Sequence, residues 1–155
     1  MWVQGDVTVP NSMRAAMTGA QVVYHLAGMY EFGPKFIPRM RAINVDGARN
    51  VLEMAAELGV SKIIHTSTVG VFGNTRGKIV DEMYRTDKAD LPSEYERTKW
   101  EAHYEVAVPL KDKAAPVIIT QPGGVTGAGD NSPHIQGLEF HLNRFPIRFA
   151  ANSVL

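Results

Sequence analysis

Tyr95 and Lys99 are the residues whose types and spacing most directly suggest chemistry. They are four positions apart in Tyr-Glu-Arg-Thr-Lys, a spacing that puts a phenol and an ammonium on one face of a helix. A hydroxyl cluster, Thr66-Ser67-Thr68, follows an apolar run upstream of them. A hydroxyl, a phenol and a lysine in this order can transfer a proton in carbonyl/alcohol redox chemistry. A nearby cation would lower the pKa of the phenol, which is ~10 in water.

The same spacing occurs a second time, in Tyr84-Arg-Thr-Asp-Lys88. This copy lies among acidic residues just before Pro92, a composition typical of a polar loop. On a loop, a spacing of four no longer brings two side chains together, so we interpret this copy as a chance match. The less specific interpretations are that Tyr95 and Lys99 are ordinary surface residues of a helix, and that the hydroxyl cluster only satisfies backbone groups at a strand end.

The composition is that of a globular protein without an obvious charged partner. Of 155 residues, 45% are hydrophobic and 21% are charged, and 16 Lys and Arg balance 16 Asp and Glu. We therefore expect no nucleic acid or membrane as partner, and no apolar run approaches the ~20 residues of a membrane span. The absence of cysteine fits the cytoplasm. The five histidines lack metal-ligand spacing, and His25 and His65 are interpreted as core residues with satisfied hydrogen bonds.

Apolar periodicity predicts an alternation of strands and helices. Strands are expected at 2–4, 21–25, 62–66 and 116–120, and helices from 11 or 12 to 17, from about 39 to 58 and from about 93 to 108. Strands that alternate with helices predict an α/β fold with a parallel sheet and helices on both faces. Ligands bind at the carboxyl ends of such strands.

A glycine-rich segment at 123–129 invites comparison with a phosphate-binding loop. Asp130 closes it with a negative charge, and no strong helix is predicted after it. A loop that flanks the substrate is therefore the favoured interpretation.

The chain resembles the extended short-chain dehydrogenase/reductase family, of the NAD-dependent epimerase/dehydratase type, and in particular its dihydroflavonol-reductase-like and hydroxysteroid-dehydrogenase-like members. Six pieces of sequence carry this resemblance in the family's order: Gly5-Asp6-Val7, His25-Leu26-Ala27, Asn44 to Gly47 with Asn50 to Leu52, Thr66 to Thr68 before Val71-Phe72-Gly73, Tyr95 to Lys99, and Gln121-Pro122-Gly123.

The resemblance implies a set of catalytic residues. Tyr95 would be the general acid/base, Lys99 would hold the nicotinamide ribose and lower the pKa of Tyr95, Thr68 would orient the substrate oxygen, and Asn44 would brace the helix behind the site. The expected reaction is hydride transfer between NAD or NADP and a small carbonyl or alcohol substrate.

The resemblance also implies cofactor contacts. Asp6 and Val7 would line the adenine pocket, Leu26 and Ala27 the ribose and diphosphate side, and Thr66, Ser67 and Pro122 the nicotinamide half, together with Tyr95 and Lys99.

The family's glycine-rich phosphate turn is absent from this sequence. A pyrophosphate needs the close backbone approach that such a turn allows. We therefore expect a partial Rossmann-type, doubly wound sheet at 1–133 that lacks the first strand–helix units, followed by the start of an incomplete substrate-binding region at 134–155. On its own, this chain is expected to show no measurable binding of NAD(H) or NADP(H).

Three alternatives remain open from the sequence. Val69-Gly70 follow Thr68 where dehydratases of the family carry Asp-Glu, which disfavours dehydration. Gln121 stands where many members have an arginine before the proline, which weakens the case for a phosphorylated or nucleotide-linked substrate. The first hypothesis is ketone/alcohol hydride transfer, and the second is sugar-nucleotide epimerisation. The third is not enzymatic: the chain would be a non-catalytic remnant or a binding module. A homodimer through helices 39–58 and 93–108 is also expected by resemblance.

Overall fold

The fold is an α/β arrangement with a three-stranded parallel sheet, seen in a computed structural model that describes residues 2–130 and 133–144. The chain divides into two compact units, 1–122 and 123–155. The described elements are α1 (Pro10–Met17), β1 (Val22–His25), α2 (Ile37–Arg41), a π turn (Ala42–Asp46), α3 (Gly47–Glu57), β2 (Lys62–Thr66), α4 (Glu94–Glu101), a second π turn (Ala102–Ala107), α5 (Val108–Asp112), β3 (Val117–Thr120) and α6 (Pro133–Arg144), with short 3₁₀ turns at Pro34–Phe36, Val69–Phe72 and Lys88–Asp90.

The sheet has the order β1-β2-β3, and both pairs of strands are parallel. Val23 pairs with Ile63, and His65 pairs with both His25 and Ile119. Because the strands run in the same direction, their carboxyl ends meet at one edge of the sheet. This is the edge where ligands bind in open α/β sheets.

The core lies between the sheet and the helices that follow β1 and β2. Its centre consists of apolar residues from α3, the turn between α3 and β2, the second π turn and the buried sides of β2 and β3: Leu52, Ala55, Val60, Ile63, Val106, Ala107 and Val117. The alternation of the strands leaves Val22, Tyr24 and Ile118 exposed. Burial on one side of the sheet fixes the register, because a shift by one residue would expose Ile63 and bury Ile64 instead.

Each of the two long predicted helices contains a π turn. The helix expected at 39–58 runs from Ile37 to Glu57, and the helix expected at 93–108 runs from Glu94 to Asp112. Pro109 does not end the second helix, because it lies in the first turn of α5, directly after a wide π turn. A proline is tolerated in the first turn of a helical segment, where its missing N–H is not needed.

Two expectations about secondary structure were wrong. Residues 2–4 form no strand, and Trp2 is fully exposed. A strand needs a neighbour for its backbone groups, and in the described part of the chain β1 pairs only with β2. The segment after Asp130 does contain a helix, α6, which the weak apolar pattern did not reveal.

No helix in the described ranges is both long and apolar enough to cross a lipid bilayer.

Candidate active site

Helix α4 carries Tyr95 and Lys99, and its start is fixed by a reciprocal cap. Ser93 is the N-cap residue, and its hydroxyl oxygen accepts a hydrogen bond from the backbone N–H of Glu96 at 3.4 Å. The Glu96 carboxylate in turn accepts a hydrogen bond from the Ser93 hydroxyl. This N-cap sets the first turn of the helix, so that the phenol and the ammonium lie on the same face as predicted.

Lys99 is buried and tied to the end of β2. Lys99 is only 7% exposed, and its Nζ donates a hydrogen bond to the carbonyl oxygen of Thr66 at 2.7 Å. Burial lowers the pKa of the Lys99 ammonium to about 8. The bond to Thr66 places the amine at the carboxyl edge of the sheet. The lowered pKa allows the amine to exchange a proton near neutral pH.

The pKa of the Tyr95 phenol is raised, which corrects the expectation that Lys99 lowers it. Burial is the main cause, and the neighbouring Tyr30 and Glu96 add to it. The Lys99 ammonium is engaged with the Thr66 carbonyl and does not offset these effects. Tyr95 is therefore a neutral phenol at neutral pH, ready to donate a proton.

The hydroxyl cluster continues from β2 into the turn that faces α4. Thr68 is the N-cap of the 3₁₀ turn that follows, and its Oγ1 accepts a hydrogen bond from the Gly70 N–H at 3.1 Å. Ser67 is buried, its N–H donates to the Thr120 carbonyl at 2.8 Å, and its Oγ lies 2.8 Å from Nδ1 of His103. The backbone N–H of Gly70 occupies one acceptor position of Thr68 Oγ1, so the Thr68 O–H can donate to another group.

Asn44 connects the loop after β1 to the helix that carries Tyr95. It is 3% exposed, its Oδ1 accepts from the Met29 N–H at 2.7 Å, and its Nδ2 donates to the Met29 carbonyl at 2.9 Å and to Thr98 Oγ1 at 3.0 Å. The Thr98 hydroxyl donates to the Tyr95 carbonyl at 2.8 Å. Asn44 makes these contacts from the first π turn, where it holds two backbone segments together.

The remaining predicted cofactor residues fall into two groups. Leu26 and Ala27 are exposed after β1, and the Pro122 carbonyl accepts from the Val69 N–H at 3.1 Å, so these three lie at the carboxyl edge of the sheet. Asp6 and Val7 lie at the turn before α1 and do not follow a strand. The Asp6 carboxylate accepts hydrogen bonds from the Thr8 backbone and hydroxyl, which lower its pKa.

One expectation about the core histidines was wrong, because the ring of His65 is not hydrogen-bonded to any described residue. His25 and His65 are buried on adjacent strands, and their rings stack with centroids 5.4 Å apart at an angle of 17°. Both ring nitrogens of His65 lack a hydrogen-bond partner among the described residues. His65 is therefore held in the sheet by packing.

The buried histidines predict a loss of stability in acid. Burial lowers the pKa of His25 to about 4, of His65 to about 3 and of His103 to about 4. Below pH 6.5 the unfolded chain binds protons that the folded chain excludes, so the free energy of unfolding should fall between pH 7 and pH 5, by on the order of 1–2 kcal/mol for each histidine. Urea unfolding at both pH values measures this. In His65→Leu the fall should be smaller, and an equal fall would contradict the assignment to His65.

Two features near the site were not predicted from the sequence. His103 lies four residues after Lys99, and its spacing from Lys99 on one helix face was the signal that could have revealed it. Glu101 is buried and accepts two hydrogen bonds from Arg41, at 3.0 and 2.6 Å, and one from Lys88 at 3.3 Å. Burial alone would raise the pKa of Glu101, but the bonds from Arg41 and Lys88 outweigh it and lower the pKa.

The second Tyr/Lys pair lies outside any α-helix, as expected. Tyr84 lies in irregular structure, and Lys88 begins a 3₁₀ turn. The Lys88 ammonium pairs with the carboxylates of Glu101 and Glu105. Lys88 thus forms ion pairs with α4 and the second π turn, whereas Lys99 binds the end of β2.

Known proteins with similar sequences include dehydrogenases and reductases. Residues 3–151 match the NAD-binding family described as male sterility protein. The chain is 40% identical over 77 residues to human 3 beta-hydroxysteroid dehydrogenase type 7, which covers 48% of this chain and 21% of that protein. It is 29% identical over 133 residues to the decarboxylating sterol-4-alpha-carboxylate 3-dehydrogenase of Saccharomyces cerevisiae, which covers 82% of this chain and 37% of that protein.

A solved structure shows the same fold. The UDP-glucuronic acid 4-epimerase of Bacillus cereus, in complex with NAD, superposes with a TM-score of 0.61 at 25% identity over 80% of this chain and 37% of that one. The chain thus spans well under half the length of these proteins. From the family match, the parallel sheet and the motifs in register, the chain belongs to the male sterility protein family of NAD-binding domains, within the extended short-chain dehydrogenases/reductases.

Proposed function

We propose that this chain carries the proton-transfer half of an NAD(P)-dependent oxidoreductase that interconverts a ketone and a secondary alcohol. The observation that carries the proposal is the placement of Tyr95 and Lys99 on one face of α4, with the Lys99 ammonium bonded to the Thr66 carbonyl at the carboxyl edge of the sheet. The kinship with dehydrogenases supports the reaction class.

The residues at the sheet edge suit the nicotinamide half of the cofactor. Lys99 would hold the ribose with N–H groups that Thr66 does not occupy, while Ser67 and Pro122 would border the nicotinamide ring. When bound, the nicotinamide carries a hydride to or from a carbon of the substrate. The diphosphate half would need backbone N–H groups that a glycine-rich turn supplies, and this sequence contains no such turn.

In the reducing direction Tyr95 acts as the general acid. Its raised pKa keeps the proton on the phenol at neutral pH, where it is available for the oxygen of the substrate carbonyl. Thr68 donates its O–H to the same oxygen and so fixes the orientation of the carbonyl. After the transfer, Lys99, whose pKa is about 8, serves as the source of the proton that reloads the phenol.

Epimerisation of a sugar nucleotide is the second candidate. The likeness to an NAD-bound 4-epimerase favours it, since such a reaction would use the same phenol, lysine and hydroxyl. It differs in outcome, because the hydride taken from the substrate returns to the substrate and no reduced cofactor is released.

Deuterium labelling distinguishes the two candidates. NADPH or NADH carrying deuterium at both C4 positions of the nicotinamide is incubated with the protein that carries this sequence and a panel of neutral ketones. A reductase transfers deuterium to the carbinol carbon of the released alcohol, which mass spectrometry detects. If alcohols form without label, or UDP-sugars are interconverted without net use of cofactor, the reductase proposal is wrong.

A homodimer through the helices at 39–58 and 93–108 stays a prediction. On these helices the large apolar side chains are buried or half-buried, and the exposed positions carry charged residues: Arg39, Asp46, Arg49, Glu53, Glu57 and Glu105. An interface formed there would depend on ion pairs.

A further inference from the structure

Two large aromatic side chains are exposed beside Tyr95. The Tyr30 ring meets the Tyr95 ring edge to face, with centroids 4.6 Å apart, and Phe32 meets Tyr30 in the same way at 5.0 Å. Tyr30 is 48% exposed and Phe32 is 61% exposed. Phe32, Tyr30 and Tyr95 therefore form a continuous aromatic row that leads from solvent to the proposed general acid.

The aromatic row is held in place from behind. The backbone of Met29, directly before Tyr30, is hydrogen-bonded at both its N–H and its carbonyl by Asn44, which also binds Thr98 of α4. The loop that carries Tyr30 is thus fixed to the helix that carries Tyr95. Exposed rings in a fixed position offer a contact surface at a low entropic cost.

The charge of this loop indicates the kind of ligand. Residues 26–34 contain no lysine or arginine, and their one charged residue is the carboxylate of Glu31. The next cation, Lys35, lies over the Phe36 ring, 4.7 Å from its centroid. A phosphate bound at this loop would find no cation within residues 26–34, whereas a neutral molecule with a flat face would gain apolar contact with the exposed rings.

We propose that Tyr30, backed by Phe32, selects the substrate by packing against the rigid ring of a neutral carbonyl compound and so brings its carbonyl oxygen to Tyr95. The inference rests on the proposed function and adds to it the substrate class and the residue that recognises it. Tyr30 is a specificity residue, because it touches the body of the substrate and takes no part in the proton transfer.

The experiment compares two neutral ketones of similar apolarity, the ring compound 1-tetralone and the linear 2-octanone. KM, kcat and the Kd of NADPH are measured for the protein that carries this sequence and for Tyr30→Ala, Tyr30→Phe and Tyr24→Ala. Tyr24 is the matched control, since it is a 66% exposed tyrosine on β1.

Tyr30→Ala should raise the ratio of the KM for 1-tetralone to the KM for 2-octanone about tenfold, the loss expected from one aromatic contact. Any effect that passes through the Tyr95 ring, which Tyr30 touches, is common to both ketones and leaves this ratio unchanged. The Kd of NADPH should change little, and Tyr30→Phe should keep the wild-type ratio because the ring remains. Equal effects on both ketones, a change confined to the Kd of NADPH, or the same effect in Tyr24→Ala would overturn the inference.

Binding separates failure of this inference from failure of the proposed function. Saturation-transfer NMR reports contact of 1-tetralone with the protein whether or not it is reduced. Binding without reduction that is lost in Tyr30→Ala and retained in Tyr24→Ala would refute the proposed reaction and support the aromatic subsite. Reduction without dependence on Tyr30, or no binding of 1-tetralone to the wild-type protein, would refute the subsite.

Discussion

Tyr95→Phe in the protein that carries this sequence should lower kcat for ketone reduction by about 10²–10⁴-fold, the usual contribution of a positioned general acid. The substitution removes one oxygen and keeps the ring, so the edge-to-face contact with Tyr30 at 4.6 Å is preserved. The Kd of the cofactor should stay nearly constant, because Lys99 and its bond to the Thr66 carbonyl are untouched. Steady-state assays and calorimetry measure the two effects.

The second tyrosine of the repeated spacing is the control for this prediction. Tyr84→Phe removes the same atom from a residue in irregular structure, whose ring packs against Phe72. Its kcat should equal that of the wild-type protein. Full activity in Tyr95→Phe, or a large loss in Tyr84→Phe, would show that the general acid has been assigned to the wrong tyrosine.

Asn44→Asp should lower the free energy of unfolding by about 3 kcal/mol, although it only replaces the side-chain NH₂ group by an oxygen. The amide donates to the Met29 carbonyl and to Thr98 Oγ1, and a carboxylate would set a negative oxygen against both. Thr98 cannot compensate, because its hydroxyl already donates to the Tyr95 carbonyl. An unpaired buried acceptor costs about 1–3 kcal/mol, and two are created here. Urea unfolding at pH 7.5 measures the change.

Asn50→Asp is the matched control. Asn50 lies on α3 and donates one hydrogen bond, to the Val7 carbonyl, from a partly buried position. Its loss should cost about 1 kcal/mol, since water can replace the partner. Equal losses in the two variants would mean that Asn44 is no more than an ordinary helix residue. Faster exchange of the Met29 amide hydrogen in Asn44→Asp alone would support its bracing role.

The parts of the site that follow from local patterns were predictable from the sequence. Short runs rich in β-branched residues predicted β2 and β3 to within one residue, and the parallel topology then brought Thr66 and Pro122 to the same edge. A spacing of four on a capped helix placed Tyr95 and Lys99 on one face of α4. These predictions depend on periodicity and on the direction of the strands, both of which are local or topological.

The parts that depend on burial were not predictable. The raised pKa of Tyr95 comes from packing and from Tyr30, which is 65 residues away in sequence, and spacing to Lys99 alone suggested the opposite. The satisfied state expected of His65 failed for the same reason, because polarity in a sequence does not reveal which partners the core provides. The strand expected at 2–4 failed because a strand forms only beside a neighbour.

The two π turns make the length of these helices adjustable at defined places. A π turn holds one residue more than the α turn that it replaces. Deleting a single residue from 102–107 would restore α geometry and leave the rest of the helix in nearly the same rotation relative to Tyr95, because the wide turn had absorbed the extra residue. Leu110 would then stay against the core. A straight α-helix has no such tolerance, since a deletion there rotates everything that follows by about 100°.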